Sequence, residues 1–380
     1  MFRLDEDHEE LRALAREIAT EQVAPHAAAV DAEGRFPRES VEALTRAGLH
    51  AIGIPEQYGG QGASLLGSAV VAEEIARACT TTQQVIGGNE LFTWPLLLGG
   101  SEEVKQRYLT RIAAGECLGA FALSEPEAGS DVAAMTTRAR REGDHYVLKG
   151  TKRWITNAGE AGLYVVFAVT DPQAGARGIS AFVLEATDEG IELGGLERKM
   201  GLKGSPTREV VMRDVRIPAD RIVGEEGQGL RLALGTLDRT RAIVAAQAVG
   251  VAQGALDVAV RYARERRQFG RPIGEFQGVA FMLADMEMRL RAARLLTYAA
   301  AEEAEAAGPD MSVAGATAKC FASDAAMAIT VDAVQVLGGA GYTADFPVER
   351  MMRDAKITQI YEGTNQIQRI VVSRALLGAR

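Results

Sequence analysis

Hydrophobic positions recur at helical spacing through the first third of the chain. A first helix should run to about Ala24, because Pro25 follows, with one apolar face made of Leu4, Leu11, Leu14 and Ile18. The same periodicity, interrupted by the loop-forming run GIPEQYGGQG, predicts further helices near 38–47, 64–78 and 101–114. We therefore expect residues 1–116 to form an N-terminal helical domain.

The pattern changes after Gly115, where short β-branched or aromatic runs are separated by Gly, Asp and Pro. These runs are HYVLKG, KRWIT, LYVVFAVT, ISAFVL and REVVMRDV. Runs of this length and spacing are typical of strands in a β-sandwich or β-barrel. They predict a middle β domain over residues 117–226.

From about Gly229 the chain becomes rich in alanine, with few helix breakers. Helices are expected near 229–263, 275–307, 311–337 and 345–358, followed by a terminal helix after Thr364. Long helices with short connections favour an antiparallel four-helix bundle over residues 227–380. The predicted fold class is therefore α+β, with helical ends around a β domain.

Composition and charge narrow the function classes. Hydrophobic residues make up 47% and charged residues 24% of the 380, and the formal net charge of −9 argues against a nucleic-acid binder. Three separated cysteines and four histidines show no disulfide or metal-ligand spacing. The charged start MFRLDEDHEE does not resemble a signal or transit peptide, and the purest apolar stretch, 163–170, is too short for a bilayer span. We expect a cytoplasmic protein without metal or stable membrane insertion.

The segment IYEGTNQIQR at 360–369 places a carboxylate, Glu362, on a loop that enters a helix. Thr364 is a candidate N-cap for that helix. Burial raises a carboxylate's pKa, and a nearby helix N-terminus lowers it, so such a group can serve as a base toward a weak carbon acid. On the residues alone, a carboxylate that only caps a helix is the competing interpretation.

Four other segments carry candidate binding chemistry, each with a structural alternative. The loop FALSEPEAGSD at 121–131 offers backbone and hydroxyl donors, or it simply joins two domains. Trp154 in RWIT can pack a flat cofactor or fill a core. RERRQFGRPIGEFQ at 264–277 can bind phosphate or complement a helix end. QVLGGAGY at 335–342 lacks the spacing of a dinucleotide-binding unit and fits a helix C-cap.

Taken together and in order, these segments and LDRTR resemble the acyl-CoA dehydrogenase family along the whole chain, especially its short-chain branch and actinobacterial members. The resemblance implies FAD bound non-covalently between the β domain and the bundle. It implies flavin-lining roles for Phe121, Leu123 and Ser124, with Trp154, Ile155 and Thr156 on the other face. Gly129 and Ser130 should border the pantetheine and pyrophosphate.

The resemblance also implies that one cofactor is shared between chains. Cross-subunit FAD contacts are expected from Arg266, Gln268, Phe269, Gln277, Gln335, Gly338 and Gly339, and contacts to the adenine-side phosphate and ribose from Thr364 and Gln366. Such sharing implies an obligate homotetramer built as a dimer of dimers. Residues expected to contact the acyl-CoA substrate are Ser130, Asp238, Arg241, Tyr361 and Gly363.

By the same resemblance Glu362 is the catalytic base of fatty acid β-oxidation chemistry. It would remove the α-proton of a short, medium or short branched acyl-CoA while the β-hydrogen leaves as hydride to flavin N5. The thioester carbonyl would be held by the Glu362 N–H and a ribityl hydroxyl. Electrons would pass to electron-transfer flavoprotein. Thr240 stands where other branches of the family carry their base, so no rival carboxylate is expected there.

Three alternatives stay open. The acyl group could ride on an acyl carrier protein in a biosynthetic pathway, oxygen could re-oxidise the flavin as in an oxidase, or the chain could be a helical scaffold without catalysis. Two departures from the family pattern bear on the substrate. Phe121 replaces a common tyrosine, and the segment IGGNELFTWPLLLGG at 86–100 is unusual, so Leu91, Phe92 and Trp94 could reshape the acyl pocket.

Overall fold

Helices occupy both ends of the chain in the computed structural model, which describes residues 3–378. In chain order the α-helices of that range are α1 Glu6–Ile18, α2 Ala27–Glu33, α3 Arg38–Arg46, α4 Leu65–Ala78, α5 Thr80–Gly99, α6 Glu102–Ala113, α7 Gly229–Glu265, α8 Gln277–Glu305, α9 Met311–Leu337, α10 Val348–Ala355 and α11 Asn365–Leu377. The helices expected near 38–47, 64–78 and 101–114 are confirmed as α3, α4 and α6. Side-chain caps from Ser64 and Ser101 start the last two.

Helix α5 is a helix that the hydrophobic pattern does not predict. Its first six residues, 80–85, are all buried, so no polar face alternates with an apolar one. It also contains Pro95, which interrupts a helical pattern in a sequence. Tertiary packing against α4, α7 and β1 stabilises this helix despite its composition.

The middle of the chain forms one mixed sheet. Its strands are β1 Leu118–Ala122, β2 Arg138–Glu142, β3 His145–Thr156, β4 Ala161–Val169, β5 Ile179–Glu185, β6 Ile191–Leu193, β7 Thr207–Pro218 and β8 Ile222–Val223. Strand order is β6-β7-β3-β2-β4-β5-β8, and β1 pairs in parallel with β4. A separate hairpin joins β9 Arg267–Gln268 to β10 Arg271–Pro272.

Strand β4 is buried on both faces, which explains its continuous apolar sequence. Leu163, Val165 and Phe167 pack in the core shared with α5 and α6. Tyr164 and Val166 point to the opposite face and pack in a second core with side chains of β3, β5 and β7. The sheet therefore presents one surface to the helices and encloses a core of its own, as in a sandwich. The α+β class predicted from the sequence is confirmed.

Helix α7 is the central helix of the C-terminal part. Its 37 residues pack against α4, α5, α8 and α9, and small side chains such as Ala245, Ala248 and Ala252 let these helices approach closely. The expected fourth helix, near 345–358, is shorter than predicted: α10 ends at Ala355 and a 3₁₀ turn, Lys356–Gln359, follows. This turn leads directly into the segment that carries Glu362.

Within the described range, two helical stretches are long and apolar enough to cross a membrane by length and composition alone. They are Gly229–Glu265 and Met311–Tyr342, whose most apolar windows are 78% and 50% buried inside the protein. Core helices of bundles pass the same test, so the finding is weak evidence for a span.

Close packing between α7 and α4 predicts that alanine substitutions at two glycines of α7 differ in their effect on the stability of the protein. A Cβ at Gly250 would lie 2.2 Å from the backbone oxygen of Glu73, whereas one at Gly235 would meet Leu98 at an ordinary 3.4 Å. Gly250→Ala should therefore lower the free energy of unfolding by about 2–3 kcal/mol through overpacking. The matched control Gly235→Ala should be neutral or slightly stabilising, because alanine favours helix. Denaturant unfolding of both variants tests this, and equal stabilities would contradict it.

Candidate active site

The loop between the 3₁₀ turn and α11 presents Glu362 in a strained backbone conformation. Glu362 has φ +51° and Gly363 has φ +89°, two successive left-handed residues. A non-glycine residue with positive φ is uncommon and costs on the order of 1–2 kcal/mol. Thr364 then caps α11, accepting a hydrogen bond from the Ile367 N–H at 3.3 Å, so the predicted cap is confirmed. Strain of this kind concentrates at functional positions.

The Glu362 carboxylate has one short hydrogen bond and no ion pair among the described residues. Thr240 of α7 donates its hydroxyl to Oε2 at 2.6 Å. Burial raises the pKa of the Glu362 carboxyl to about 7, and the Thr240 hydrogen bond with the charges of Arg241 and Lys319 offsets part of that increase. A carboxyl with a pKa near neutrality can take up or release a proton under physiological conditions.

The backbone of the Glu362 loop is held by two buried side chains. Lys319 of α9 donates to the Gly363 oxygen at 2.7 Å and to Asn365 Oδ1 at 3.0 Å. Gln368 of α11 donates to the carbonyl oxygens of Glu362 and Gly363 at 3.2 and 2.9 Å. A Cβ at Gly363 would lie 2.7 Å from Gln368 Nε2, so a glycine is needed there for space as well as for its φ. The Glu362 N–H itself has no hydrogen-bond acceptor in residues 3–378.

The expected substrate-contact residues Tyr361 and Arg241 act on the same carboxylate through their position and charge, and Asp238 is joined to it through Arg241. Tyr361 donates its hydroxyl to Gln247 Oε1 of α7, and burial raises the pKa of the Tyr361 phenol well above its usual value, so it stays neutral. Arg241 pairs with Asp238 at 2.5 Å. The Arg241 side chain is buried, and its Nε has no hydrogen-bond partner in the described chain. A buried guanidinium N–H without a partner remains available to an anionic or carbonyl ligand.

A second group of expected residues lies at the edge of the β domain. Trp154 sits at a β-bulge, where the β3–β7 register shifts between Lys152 and Ile155, and it has φ +58°. Bulges of this kind redirect a side chain, and the Trp154 ring is 51% exposed. Ile155 beside it is buried. The Arg153 guanidinium lies over the indole, 5.2 Å from a ring centroid, and half of the side chain stays exposed, which excludes the interpretation of Trp154 as a core residue within one chain.

The loop 121–131 and the Trp154 edge are brought together by backbone and side-chain contacts. The Arg153 N–H donates to the Ser124 oxygen at 2.9 Å. The hydroxyls of Ser124 and Thr156, both partly exposed, form no hydrogen bond within residues 3–378. A half-exposed indole beside hydroxyl groups without partners offers the apolar surface and the polar atoms that an isoalloxazine ring requires. Phe121 packs on Phe167 with ring centroids 5.0 Å apart, Leu123 is buried, and Gly129 and Ser130 are exposed.

A buried ion pair holds this loop in place. Lys152 of β3 is completely buried and binds Glu125 Oε1 at 2.8 Å and the Leu123 oxygen at 3.1 Å. Glu125 also accepts hydrogen bonds from the backbone N–H groups of Thr136 and Thr137 at 2.7 and 3.0 Å. Burial lowers the pKa of Lys152 to about 8, and Glu125 offsets part of that decrease. Because both Lys152 and Glu125 also form hydrogen bonds with the backbone, the ion pair fixes the course of the chain around Ser124.

The remaining expected cofactor residues lie on exposed surface, apart from Glu362 and the Ser124 loop. Arg266, Gln268 and Phe269 belong to the β9–β10 hairpin, and Phe269 is 93% exposed at its tip, with φ +51°. Other exposed members of this set are Gln277 at the start of α8, Gln335, Gly338 and Gly339 at the end of α9, and Gln366 on α11. Within one chain these side chains do not meet the other site residues.

Several residues that shape the site escaped the sequence interpretation. The sequence predicts only that Thr240 is not a base, yet this residue donates the hydrogen bond to Glu362. Lys152 and Lys319 each stand among residues that become buried, and a lysine in such a run is a signal for a paired or functional charge. Gln247 and Gln368 carry no comparable signal, because isolated amides on helices are common.

Models of three acyl-CoA dehydrogenase domains match successive parts of the chain. The N-terminal domain model matches residues 5–116, the middle domain model 120–215 and the C-terminal domain model 227–377. Among curated proteins, a probable acyl-CoA dehydrogenase of Mycobacterium tuberculosis is 55% identical over 99% of this chain and 97% of its own length. The human short-chain specific acyl-CoA dehydrogenase is 46% identical over 98% of this chain and 91% of its own length.

Solved structures agree with these matches. Butyryl-CoA dehydrogenase from Megasphaera elsdenii has a TM-score of 0.96 and 41% identity, covering 99% of this chain and 100% of that chain. A chain in the structure described as the electron-transferring flavoprotein of Acidaminococcus fermentans has a TM-score of 0.97 and 47% identity over 99% of both chains. A prolyl acyl carrier protein oxidase has a TM-score of 0.94 and 30% identity over 98% of this chain and 100% of its own.

The site chemistry and the comparisons agree on the class of protein. A carboxyl whose burial raises its pKa to about 7 lies at the α7–α11 junction, and a half-exposed indole near hydroxyl groups without partners lies on the β domain. Family models cover nearly the whole chain. The chain belongs to the acyl-CoA dehydrogenase family of FAD-dependent oxidoreductases.

Proposed function

We propose that this enzyme removes hydrogen from the α and β carbons of a short- or medium-chain, or short branched-chain, acyl-CoA and forms the trans-2-enoyl-CoA. The observation that carries the proposal is the environment of Glu362. Its carboxylate forms no ion pair, and the backbone N–H of the same residue has no hydrogen-bond acceptor among the described residues. Glu362 would remove the α-proton as the catalytic base. The butyryl-CoA and short-chain relatives support the substrate class.

The Glu362 loop supports proton abstraction in two ways. Burial destabilises the carboxylate and makes it more basic than an ordinary glutamate. Its pKa of about 7 therefore lies closer to the high pKa of the α-carbon proton. The free Glu362 N–H can donate to a thioester carbonyl whose negative charge grows as the α-proton leaves. The strained loop, pinned by Lys319 and Gln368, keeps these two groups in fixed relation.

FAD, when bound, would supply the redox chemistry as the acceptor of the β-hydrogen. The chain's own contribution is a surface for the flavin: Phe121, Leu123 and Ser124 on one side and Trp154, Ile155 and Thr156 on the other. Gly129, Ser130, Thr364 and Gln366 would continue the contacts toward the phosphates and ribose. Asp238 and Arg241, with Tyr361 and Gly363, would contact the acyl-CoA, and the unpartnered Arg241 Nε supports that assignment.

The proposal includes a homotetramer in which neighbouring chains complete each cofactor site. Its support is the exposed hairpin with Phe269 and the exposed α9 end, surfaces that one chain leaves uncovered. Large exposed aromatic side chains on a protruding hairpin favour protein contact. Electron-transfer flavoprotein is the proposed electron acceptor, supported by the match to a chain in the A. fermentans structure.

We also propose a cytoplasmic location and a division into domains at 1–116, 117–226 and 227–380. The secondary structure changes from helix to strand between Ala113 and Leu118 and back to helix between Val223 and Gly229. These changes support both boundaries. The three cysteines, Cys79, Cys117 and Cys320, are unpaired, in keeping with a reducing compartment.

A second candidate keeps the fold and the base but changes the thioester or the electron acceptor. The match to a prolyl acyl carrier protein oxidase supports an acyl group carried on a protein, or flavin re-oxidation by oxygen. Anaerobic flavin bleaching by matched acyl-CoA and acyl-carrier thioesters separates the carriers. Rapid re-oxidation of the reduced, product-bound enzyme by air would favour an oxidase.

Replacement of the base should abolish the reaction without removing the cofactor. Glu362→Gln keeps the size of the side chain but cannot take a proton, so it should retain FAD and lose substrate-dependent flavin bleaching by several orders of magnitude, about 10³-fold or more. Stopped-flow absorbance with butyryl-CoA under anaerobic conditions measures this. The exposed Glu302→Gln on α8 is the control. Bleaching near the wild-type rate in Glu362→Gln would rule out the assignment.

The buried carboxylate should make stability depend on pH. Since folding raises the pKa of Glu362 from 4.5 to about 7, the unfolded chain releases this proton at lower pH, and stability falls as pH rises between those values. Glu362→Gln removes the effect, so its stability relative to wild type should be about 2 kcal/mol greater at pH 8 than at pH 5. Denaturant unfolding of the two proteins at both pH values measures the difference; a difference that stays constant with pH would contradict the raised pKa.

The hairpin should matter for cofactor retention and assembly. Arg266→Ala should lower the FAD content and shift the protein toward smaller species, because a cofactor bound between chains stabilises the assembly by mass action. Arg264→Ala, two residues earlier on the same exposed stretch, is the matched control. Flavin absorbance per chain and light scattering after size exclusion provide the readouts. Unchanged flavin content and size in Arg266→Ala would refute the cross-subunit role.

A further inference from the structure

A small cavity lies between α4, α5, α7 and the 3₁₀ turn Leu49–Ala51. Its volume is about 20 Å³, which is the room needed by one water molecule or one hydroxyl group. Apolar walls come from Leu49, Ile52, Val71, Ala72, Ile86 and Ile243. Four polar side chains also line it, which are His50, Ser68, Gln83 and Glu90.

Two of these polar side chains are buried acceptors without a partner. His50 donates Nε2–H to the Ile112 carbonyl oxygen at 2.8 Å, so its Nδ1 carries a lone pair, and Nδ1 has no hydrogen-bond partner in the described residues. Burial lowers the pKa of His50, which keeps the ring neutral. Gln83 Oε1 is likewise without a partner. Both side chains are at least 95% buried.

The third polar group, Glu90, lies on the same wall. Its Oε1 accepts a hydrogen bond from Ser68 Oγ at 3.3 Å, and no cationic side chain pairs with it within residues 3–378. Burial raises the pKa of Glu90, as expected for a carboxyl without a compensating charge. The unpaired acceptors that the cavity offers are therefore His50 Nδ1 and Gln83 Oε1, and a group that donates a hydrogen bond would satisfy them.

Helix α7 connects this cavity to the Glu362 loop. Thr240 and Gln247 contact Glu362 and Tyr361, respectively. Ile243 lies three residues after Thr240, hence on the same helical face about 4.5 Å further along the axis, and it lines the cavity. Gln247 also donates to Gln84 of α5, the neighbour of Gln83 in sequence. The cavity is thus about one helical turn beyond the carboxylate, on the side where α5 and α7 meet.

We propose that this cavity, lined by His50, Gln83 and Glu90, is the far end of the acyl site and receives a hydroxyl group carried on the acyl chain. The inference rests on the proposed function, since it takes Glu362 to mark the thioester end. A hydroxyl matches the volume and supplies the missing donor. A methyl group of the same size leaves the acceptors unpaired, and sites built to bond a hydroxyl reject such analogues strongly.

Paired ligands that differ only by hydroxyl against methyl test the proposal. 4-Hydroxybutanoyl-CoA is matched with pentanoyl-CoA, and 5-hydroxypentanoyl-CoA with hexanoyl-CoA. Dissociation constants are measured by calorimetry on FAD-loaded Glu362→Gln, so that binding is compared without turnover. We expect the hydroxylated member of at least one pair to bind at least tenfold more tightly. Equal binding within both pairs, or preference for the methyl members, overturns the proposal and assigns the cavity to a water molecule.

Two variants locate the preference in the cavity. Glu90→Met and Gln83→Met, each made in Glu362→Gln, keep approximate side-chain size but remove a polar group that lines the cavity, so each should reduce the hydroxyl preference by at least fivefold. Glu103→Met, on the exposed face of α6, is the control and should leave it unchanged. A preference that survives both cavity variants overturns the assignment, and if one variant fails to fold the other decides. Wild-type enzyme that binds these thioesters but dehydrogenates none would refute the proposed reaction while leaving this comparison intact.

Discussion

The desolvation of one carboxylate is the constraint around which this structure is arranged. Glu362 is held by a single Thr240 hydroxyl, with the charges of Arg241 and Lys319 nearby but not paired to it. A close ion pair would stabilise the anion and return the pKa to an ordinary carboxylate value, which would make the group a weak base. Full isolation would keep it protonated. One hydrogen bond and two nearby charges give the Glu362 carboxyl a pKa near neutrality. The rest of the fold must then offset the unfavourable free energy of the buried charge.

Polar contacts bind two parts of the chain, α2 and the segment 200–202, to the end of α10, shortly before the Glu362 loop. Arg353, at the end of α10, forms two hydrogen bonds with Asp31 of α2 at 2.9 and 2.6 Å and one with the Met200 oxygen at 3.1 Å. Asp354 beside it accepts the Leu202 N–H at 2.7 Å. The Glu362 loop begins six residues after Asp354, at Ile360. Its position relative to the β domain is therefore set by polar contacts with defined geometry, while α7 and α9 supply the apolar packing.

Buried lysines perform a related task on the two sides of the site. Lys152 holds the Ser124 loop through Glu125 and a carbonyl group, and Lys319 holds the Glu362 loop through Gly363 and Asn365. Each lysine binds backbone oxygen atoms of an irregular segment that lacks the regular hydrogen bonding of a helix or sheet. Since unpaired buried carbonyl groups are costly, these ammonium groups determine which loop conformation is stable.

The sequence by itself determined the helical ends, the β domain, the Thr364 cap and the segment that carries Glu362, because hydrophobic period, turn residues and capping are local properties of the chain. It did not reveal α5, whose burial on nearly all sides removes the helical period, or the bulge that exposes Trp154. Nor did it show that Thr240 donates to Glu362 or that His50, Gln83 and Glu90 share a cavity. These features join residues distant in sequence, and only the packing of α4, α5, α7 and α11 decides which polar atoms meet and which stay without a partner.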